Sequence, residues 1–217
     1  MVGFGNSENG VVNLSKGAKI NLSKETPGLK EVLIGLGWDT NNYSGTADFD
    51  LDASVFLVNK YGKTSPDGFI FYNRTSDKGR YDGNRWVPDT ENSFIIHTGD
   101  NRTGEGDGDD ESIIINLDKV PSDIEKIAIT VTIHEAEQRR QSFGLVENSF
   151  CRLVNRETGN EVVHFDLGED FSTETAIVAA ELYRHNGDWK FNAIGKGFKE
   201  DGLLGLCRNY GLEAEYR

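Results

Sequence analysis

The sequence predicts a mainly β fold: a β-sandwich of two antiparallel or mixed sheets, with a few short helices near the C-terminus. Three observations carry that expectation. Short apolar runs with strand periodicity recur from about residue 31 to residue 167. The 25 glycines set against four prolines point to many tight turns rather than to a disordered chain. Helical periodicity is confined to the last quarter. No linker or shift of composition divides the 217 residues, so one domain is expected over 1–217, with an N-terminal extension at 1–11 and an insertion loop at 74–92.

Taken in order, the tetrapeptide Asn-Leu-Ser-Lys at 13–16 recurs at 21–24 around a Lys16-Gly17 turn, which reads as a β-hairpin. KEVLIGLGWD follows as an apolar strand ending in Gly35, Gly37 and Asp39. In TADFDLDASVFLV, Ala47, Phe49, Leu51, Ala53, Val55 and Leu57 share one face of a strand, while Asp48, Asp50 and Asp52 line the other. Beyond Asp52 that second face continues Ser54, Phe56, Val58, so the aspartates cluster at one end of a strand that then enters a core. Further strands are expected at 68–73, 93–98, 112–117, 126–134, 149–154 and 161–167. The polar stretch between Asn73 and Ser93 reads as an exposed loop. STETAIVAAELYRH suits a helix capped by Ser172 or Thr173, with Glu174 and Glu181 on its solvated face. Asn186-Gly187 is a type I′ hairpin signal, and GLLGLCRNYG reads as a closing helix.

A net charge of −13 argues against nucleic acid as a partner, because binding phosphates needs a basic face. MVGFGNSENG lacks the basic and apolar regions of a signal peptide, and no apolar run approaches the ~20 residues of a transmembrane helix. A cytoplasmic location is therefore expected, with Cys151 and Cys207 as buried free thiols. His97 and His164 sit in apolar strand patterns and read as satisfied residues rather than ligands, and Trp38 and Trp189 read as core. No Ser/His/Asp or Cys/His arrangement, nucleophile elbow, P-loop or dinucleotide fingerprint is present, so no enzyme is expected.

The acidity is concentrated. DNRTGEGDGDDE at 100–111 holds six acids (Asp100, Glu105, Asp107, Asp109, Asp110 and Glu111) against one arginine. With Asp48, Asp50 and Asp52 it carries −8 of the −13. Clustered carboxylates raise one another's pKa and destabilise a fold unless a cation sits among them. Calcium needs six to eight oxygens, and interleaved glycines let the backbone aim its carbonyls as well. Alone, the loop could equally be a solvated acidic turn. The aspartate row at 48–52, and Asp39 after a glycine-rich turn, favour a cation site. It is not an EF-hand, since Arg102 and Glu105 stand where that loop needs an oxygen ligand and a glycine. DFDLD is not a phosphatase nucleophile motif either, because its strand follows the aspartates instead of preceding them.

VLIGLGWD, DFDLDASVFLV, FIFYN, HTGDNRTGEGDGDDE, VTIHEAEQRRQSFG, RLVN, DFSTETA and ELYRHNGDWKF together resemble the TerD family of tellurium-resistance and stress-response proteins, from about Val12 to about Gly211. The resemblance implies a calcium-binding β-sandwich without catalytic activity, cytoplasmic and at most peripheral to the inner membrane face. It implies protein partners in a membrane-associated stress complex. It also places the calcium ligands on Asp48, Asp50, Asp52 and the loop residues Asp100, Asn101, Thr103, Glu105, Asp107, Asp109, Asp110 and Glu111. Asp39, Asn73 and Glu135 are further candidates, and the charge supports about two ions. The segment after FIFYN is longer than the family's usual short hairpin, which bears on Asn73. A calcium-dependent phosphoester or cyclic-nucleotide binding protein is the alternative reading.

Overall fold

A computed structural model describes residues 5–6, 10–39, 48–98, 108–167, 171–199 and 202–213. In chain order the elements begin with β1 (Gly5–Asn6), β2 (Val12–Asn13), β3 (Lys19–Asn21), α1 (Leu22–Glu25), β4 (Glu31–Gly37) and β5 (Leu51–Asn59). Next come β6 (Phe69–Ile70), β7 (Gly79–Tyr81), β8 (Trp86–Pro88), β9 (Ile95–His97), β10 (Glu111–Asn116) and β11 (Ile124–Ile133). The chain then forms α2 (Ala136–Arg139), β12 (Phe150–Asn155), β13 (Glu161–Asp166), β14 (Ala176–His185), β15 (Asp188–Phe198) and α3 (Gly202–Asn209).

Two large sheets form, ordered β1-β2-β13-β12-β4-β10-β9 and β3-β15-β14-β11-β5-β6. Among the described residues every strand pairing is antiparallel except that of β2 with β13. Ile34, Ile113, Cys151 and Val163 of the first sheet meet Val55, Ile129, Leu182 and Phe191 of the second in one apolar core. The second sheet is covered on its other face too. There Phe56, Val58, Ala128, Ala176 and Val178 pack against Leu206, Cys207 and Tyr210 of α3 and the turn after it. This explains why β5 is apolar on both faces beyond its aspartates, as the sequence pattern anticipates. The closing helix, the buried thiols and the Asn186-Gly187 turn are all found. Asn186 and Gly187 have φ of 56° and 84°, as a type I′ turn requires.

Three expectations are corrected. Residues 13–24 form no hairpin: β2 joins β13 in one sheet, while β3 pairs with β15 in the other. The two Asn-Leu-Ser-Lys copies therefore play different roles. Asn13 is a strand residue, whereas the Asn21 side chain caps α1 by accepting the Lys24 N–H. The helix expected at 172–185 is strand β14 from Ala176 onward, inserted between β11 and β15. A register shift between Val178 and Ala180 breaks its period of two, so the sequence shows no clean strand alternation. Glu181 accordingly lies on a strand, where it pairs with Lys126 at 2.8 Å. Finally, of 68–73 only Phe69 and Ile70 pair with β5, because the chain turns back between Phe71 and Arg74. The stretch at 74–92 carries a small exposed hairpin of its own, β7 with β8.

Leu206, on the inner face of α3, is fully buried. Truncating it (Leu206→Ala) is expected to cost about 2–5 kcal/mol through the lost burial and the cavity left behind. Urea denaturation would measure that cost.

Candidate metal centre

One end of the sandwich gathers the acids from both sheets. Asp50 leads into β5, and Asp52 lies in its first turn of pleat, opposite Thr132 of β11. Glu111 opens β10 and stands opposite Leu36 of β4 in the other sheet. All three carboxylates are buried, with Asp50 at 8%, Asp52 at 9% and Glu111 at 1% exposure. The two sheets are tied together here by side chain to main chain. Glu111 Oε2 accepts the Ala53 N–H of β5 at 2.6 Å. His97 Nε2, from β9, lies 3.2 Å from the Ala53 carbonyl and 3.4 Å from Glu111 Oε2. The strand β6 pairs with β5 only at Val55 and Phe56. Beyond that point Glu111 and His97 satisfy the peptide groups that a further strand residue would have met.

The segment leading into β10 lies across the outer face of β4, in space left by two glycines. A side chain at Gly35 would collide with the Asp109 carboxylate, and one at Gly37 with the Phe150 ring and the Gly108 carbonyl. Asp109 is gripped by Arg152 of β12 through two bonds, Nε–Oδ1 at 2.7 Å and Nη2–Oδ2 at 3.0 Å. Arg152 also donates to Glu161 at 3.1 Å. Asp110 donates its N–H to the Leu36 carbonyl and accepts the Trp38 N–H at 2.9 Å. Burial pushes its carboxyl above the usual range, and the charges of Asp109 and Asp39 push the same way, against the Trp38 hydrogen bond.

The remaining candidates are looser. Asp39 is exposed and accepts from Asn148 Nδ2 at 2.6 Å. Asp48 is exposed, and its carbonyl accepts from Gln141 Nε2 at 3.3 Å. Asp50 Oδ2 lies 3.6 Å from Arg139 Nη1, and Asp52 Oδ2 lies 3.7 Å from His134 Nδ1. Glu135 Oε2 is 3.5 Å from Arg139 Nε. Asn73 is exposed in the turn after β6, where its carbonyl accepts the Tyr81 hydroxyl at 3.1 Å. Asp100, Asn101, Thr103, Glu105 and Asp107 lie outside the described residues.

The acids of this end suit a hard cation, being oxygen donors throughout. Among the described residues, however, no three His, Cys, Asp or Glu side chains converge closely enough to hold an ion. Sequence reasoning overlooked the cationic partners His134, Arg139 and Arg152. A visible signal existed for the first two, since the apolar run of β11 ends abruptly in HEAEQRRQ. Nothing local marks Arg152, whose partner Asp109 is distant in sequence.

The family model described as TerD domain matches residues 11–210. The chain belongs to the TerD family. Over 203 residues it is 58% identical to the uncharacterized protein YceE of Bacillus subtilis (strain 168), covering 93% of this chain and 98% of that one. General stress protein 16U of the same organism is 51% identical over 203 residues, with the same coverage of 93% and 98%. Tellurium resistance protein TerD of Serratia marcescens is 53% identical over 204 residues, covering 94% of this chain and 98% of that protein. A crystal structure of a homologue of telluride resistance protein (TerD) from Streptomyces coelicolor A3(2) superposes with a TM-score of 0.62. It is 23% identical and covers 86% of this chain and all of that one, so it speaks for the fold.

Two outcomes test this geometry in calcium-free protein. Glu111→Ala strips the Ala53 N–H of its acceptor and is expected to cost about 1–3 kcal/mol, whereas Glu111→Gln, which keeps an acceptor oxygen, costs less. Chemical denaturation of both variants checks this. Asp110→Asn is expected to raise the melting temperature at pH 7. A carboxyl whose folded pKa is raised opposes folding while ionised, and that penalty disappears as pH falls through the raised value. The advantage of Asp110→Asn should therefore vanish in melting scans taken below the usual carboxylate range.

Proposed function

We propose that this TerD-family chain is a non-enzymatic, calcium-binding stress-response protein, whose ion-filled acidic end forms a metal-dependent docking module for protein partners of a membrane-associated resistance complex. One observation carries the reading. Carboxylates from both sheets stand at strand beginnings at one end of the sandwich: Asp50 and Asp52 where β5 starts and the buried Glu111 where β10 starts, joined by the Glu111 bond to the Ala53 N–H, with Asp109 and Asp110 just before β10. So many acids in one place are costly without a compensating cation. Calcium's demand for six to eight oxygens exceeds what the described side chains offer together. In this reading the rest come from the 99–107 segment between Thr98 and Gly108, including Asp100, Asn101, Glu105, Asp107 and the Thr103 carbonyl. About two ions would balance the acidity.

The stress and tellurium-resistance names of the relatives support a protective role rather than a metabolic one. Among the described residues no helix is long and apolar enough to cross a membrane. In this reading the chain acts as one domain in the cytoplasm, reaching the membrane only through its partners. Direct capture of tellurium oxyanions has little support, because the two thiols are buried in apolar surroundings.

Calorimetry and melting scans test the reading. Calcium should bind with a measurable heat and raise the melting temperature, and a chelator should reverse both. At 100 times the dissociation constant the stabilisation is about 2.7 kcal/mol per site. A protein whose heat signal and melting temperature ignore calcium would sink the proposal. Affinity capture with and without calcium then tests the docking role, which needs partners that are retained only with the ion.

A further inference from the structure

The face of the second sheet that α3 packs on is covered only in part. Beside Val58 of β5 it continues with Lys126 of β11, Glu181 and Tyr183 of β14, and Lys196 of β15. Here a groove of about 350 Å³, reaching Lys60 and Arg184, runs on into one of about 200 Å³ that reaches Tyr210 and Lys196. Val58, Gly62 and Lys126 line both parts. Openings of this size take small ligands, oriented by a few polar groups on an apolar lining.

The narrower part has that character. Val58 and Val178 are buried at its base, and Ile194 is half-buried. Tyr210 also lines it, with its ring stacked on Phe56 at 4.6 Å and only 6% of the residue exposed. Among the described residues the Tyr210 hydroxyl has no hydrogen-bond partner. Burial, and then the charge of Glu181 in the same groove, push that hydroxyl above its usual range, so it stays a protonated donor near neutral pH. A buried donor left without an acceptor is costly, and the place open to an acceptor is the groove.

The groove is also cationic, on a chain whose net charge is −13. Lys126 is neutralised by Glu181 at 2.8 Å. The other cations have neutral partners. Arg184 donates to the Val120, Pro121 and Ile124 carbonyls and lies over the Trp189 ring. Lys60 lies over the Tyr61 ring, and Lys196 donates to the Asn209 amide oxygen at 3.4 Å. Among the described residues no carboxylate pairs with these three, and the other acid lining the groove is the exposed Glu125. We infer that the groove binds a small organic anion. Its apolar body fills the narrower part and accepts a hydrogen bond from the Tyr210 hydroxyl, while a phosphate or carboxylate head lies toward Lys60 and Arg184. The site stands apart from the acidic end: Val58 and Lys126 lie about 20 Å along β5 and β11 from the pair Asp52 and Thr132.

Calorimetry on the full chain tests the inference with 4-acetylphenyl phosphate and 4-acetylbenzoate, which share an aromatic body and a carbonyl acceptor and differ in the head. The titrations are run in a calcium chelator, so their outcome is separate from that of the calcium reading. At least one probe should bind at millimolar concentration, and the tighter of the two identifies the head. The neutral 4-hydroxyacetophenone should bind about tenfold more weakly. Lys60→Glu should weaken the anion about tenfold, while Lys78→Glu, at an exposed position beside the β7–β8 hairpin, stays within about twofold of the parent. Tyr210→Phe keeps the ring stacking and should weaken binding about fivefold, yet melt no lower than the parent without ligand, because the lost hydroxyl has no partner in the chain. Methyl spectra of the parent protein guard against a variant that fails to fold: the Val58, Val178 and Ile194 signals should shift on adding the probe. No binding by either anion, equal binding of the neutral compound, an equal loss in Lys78→Glu, affinity indifferent to Lys60→Glu or Tyr210→Phe, or methyl shifts confined to other residues would each overturn the inference.

Discussion

A carboxylate on one sheet that accepts a main-chain N–H of the other is the contact on which the acidic end depends. Facing sheets meet through side chains about 10 Å apart, and packing alone leaves some freedom in how their ends line up. The Glu111 bond to Ala53, with His97 against the same peptide, removes that freedom. It fixes Asp50 and Asp52 on β5 relative to Asp109 and Asp110 beside β10. A buried carboxylate is expensive, but so is a strand peptide left without a partner. Each removes much of the other's cost. The acidic end is therefore placed by hydrogen bonding between the sheets, rather than by attraction among its acids, which repel.

The rest of the fold makes that placement rigid. With the inter-sheet core on one side and α3 on the other, β5 is clamped over most of its length. Its aspartates stand where the strand emerges from this clamp. On the outer face of the first sheet, Gly35 and Gly37 leave a trough on β4 in which Gly108 and Asp109 lie, and Arg152 closes the trough from β12. The role of those glycines is steric. They let one backbone segment lie directly on a sheet face, which any β-carbon would prevent.

Much of this was legible in the sequence, and the failures share one cause. The strands from 31 to 167 announce themselves by period or by unbroken apolar runs, and the Asp48, Asp50, Asp52 row by alternation alone. The Asn186-Gly187 turn follows from the few residues that tolerate positive φ. What stayed hidden depends on distant neighbours. Ala176–His185 is rich in good helix formers, and only its insertion between β11 and β15, with a bulge that scrambles its alternation, makes it a strand. Likewise the repeated Asn-Leu-Ser-Lys looks like a hairpin until its two copies are drawn to different sheets. Arg152 and Arg139 were invisible as members of the acidic end, because a charge pair across 43 or 89 residues leaves no local pattern. The acids could be counted, but the cations that tolerate them had to be seen in place.

The same geometry separates oxygen donors from sulfur donors. The acids at the open end of the sandwich offer oxygen alone, whereas both sulfur nucleophiles are sealed away. Cys151 lies in the inter-sheet core, where burial, aided by the Asp109 charge, pushes its thiol up to about 12. Cys207 lies on the inner face of α3 against the second sheet, and burial raises its thiol too. Since the thiolate rather than the thiol attacks electrophiles and binds soft metals, neither cysteine is poised for that chemistry near neutral pH. The single methionine adds little. A chain built this way presents oxygen donors at its acidic end and keeps its sulfur buried, and the charge of Asp109 adds to the burial that keeps Cys151 protonated.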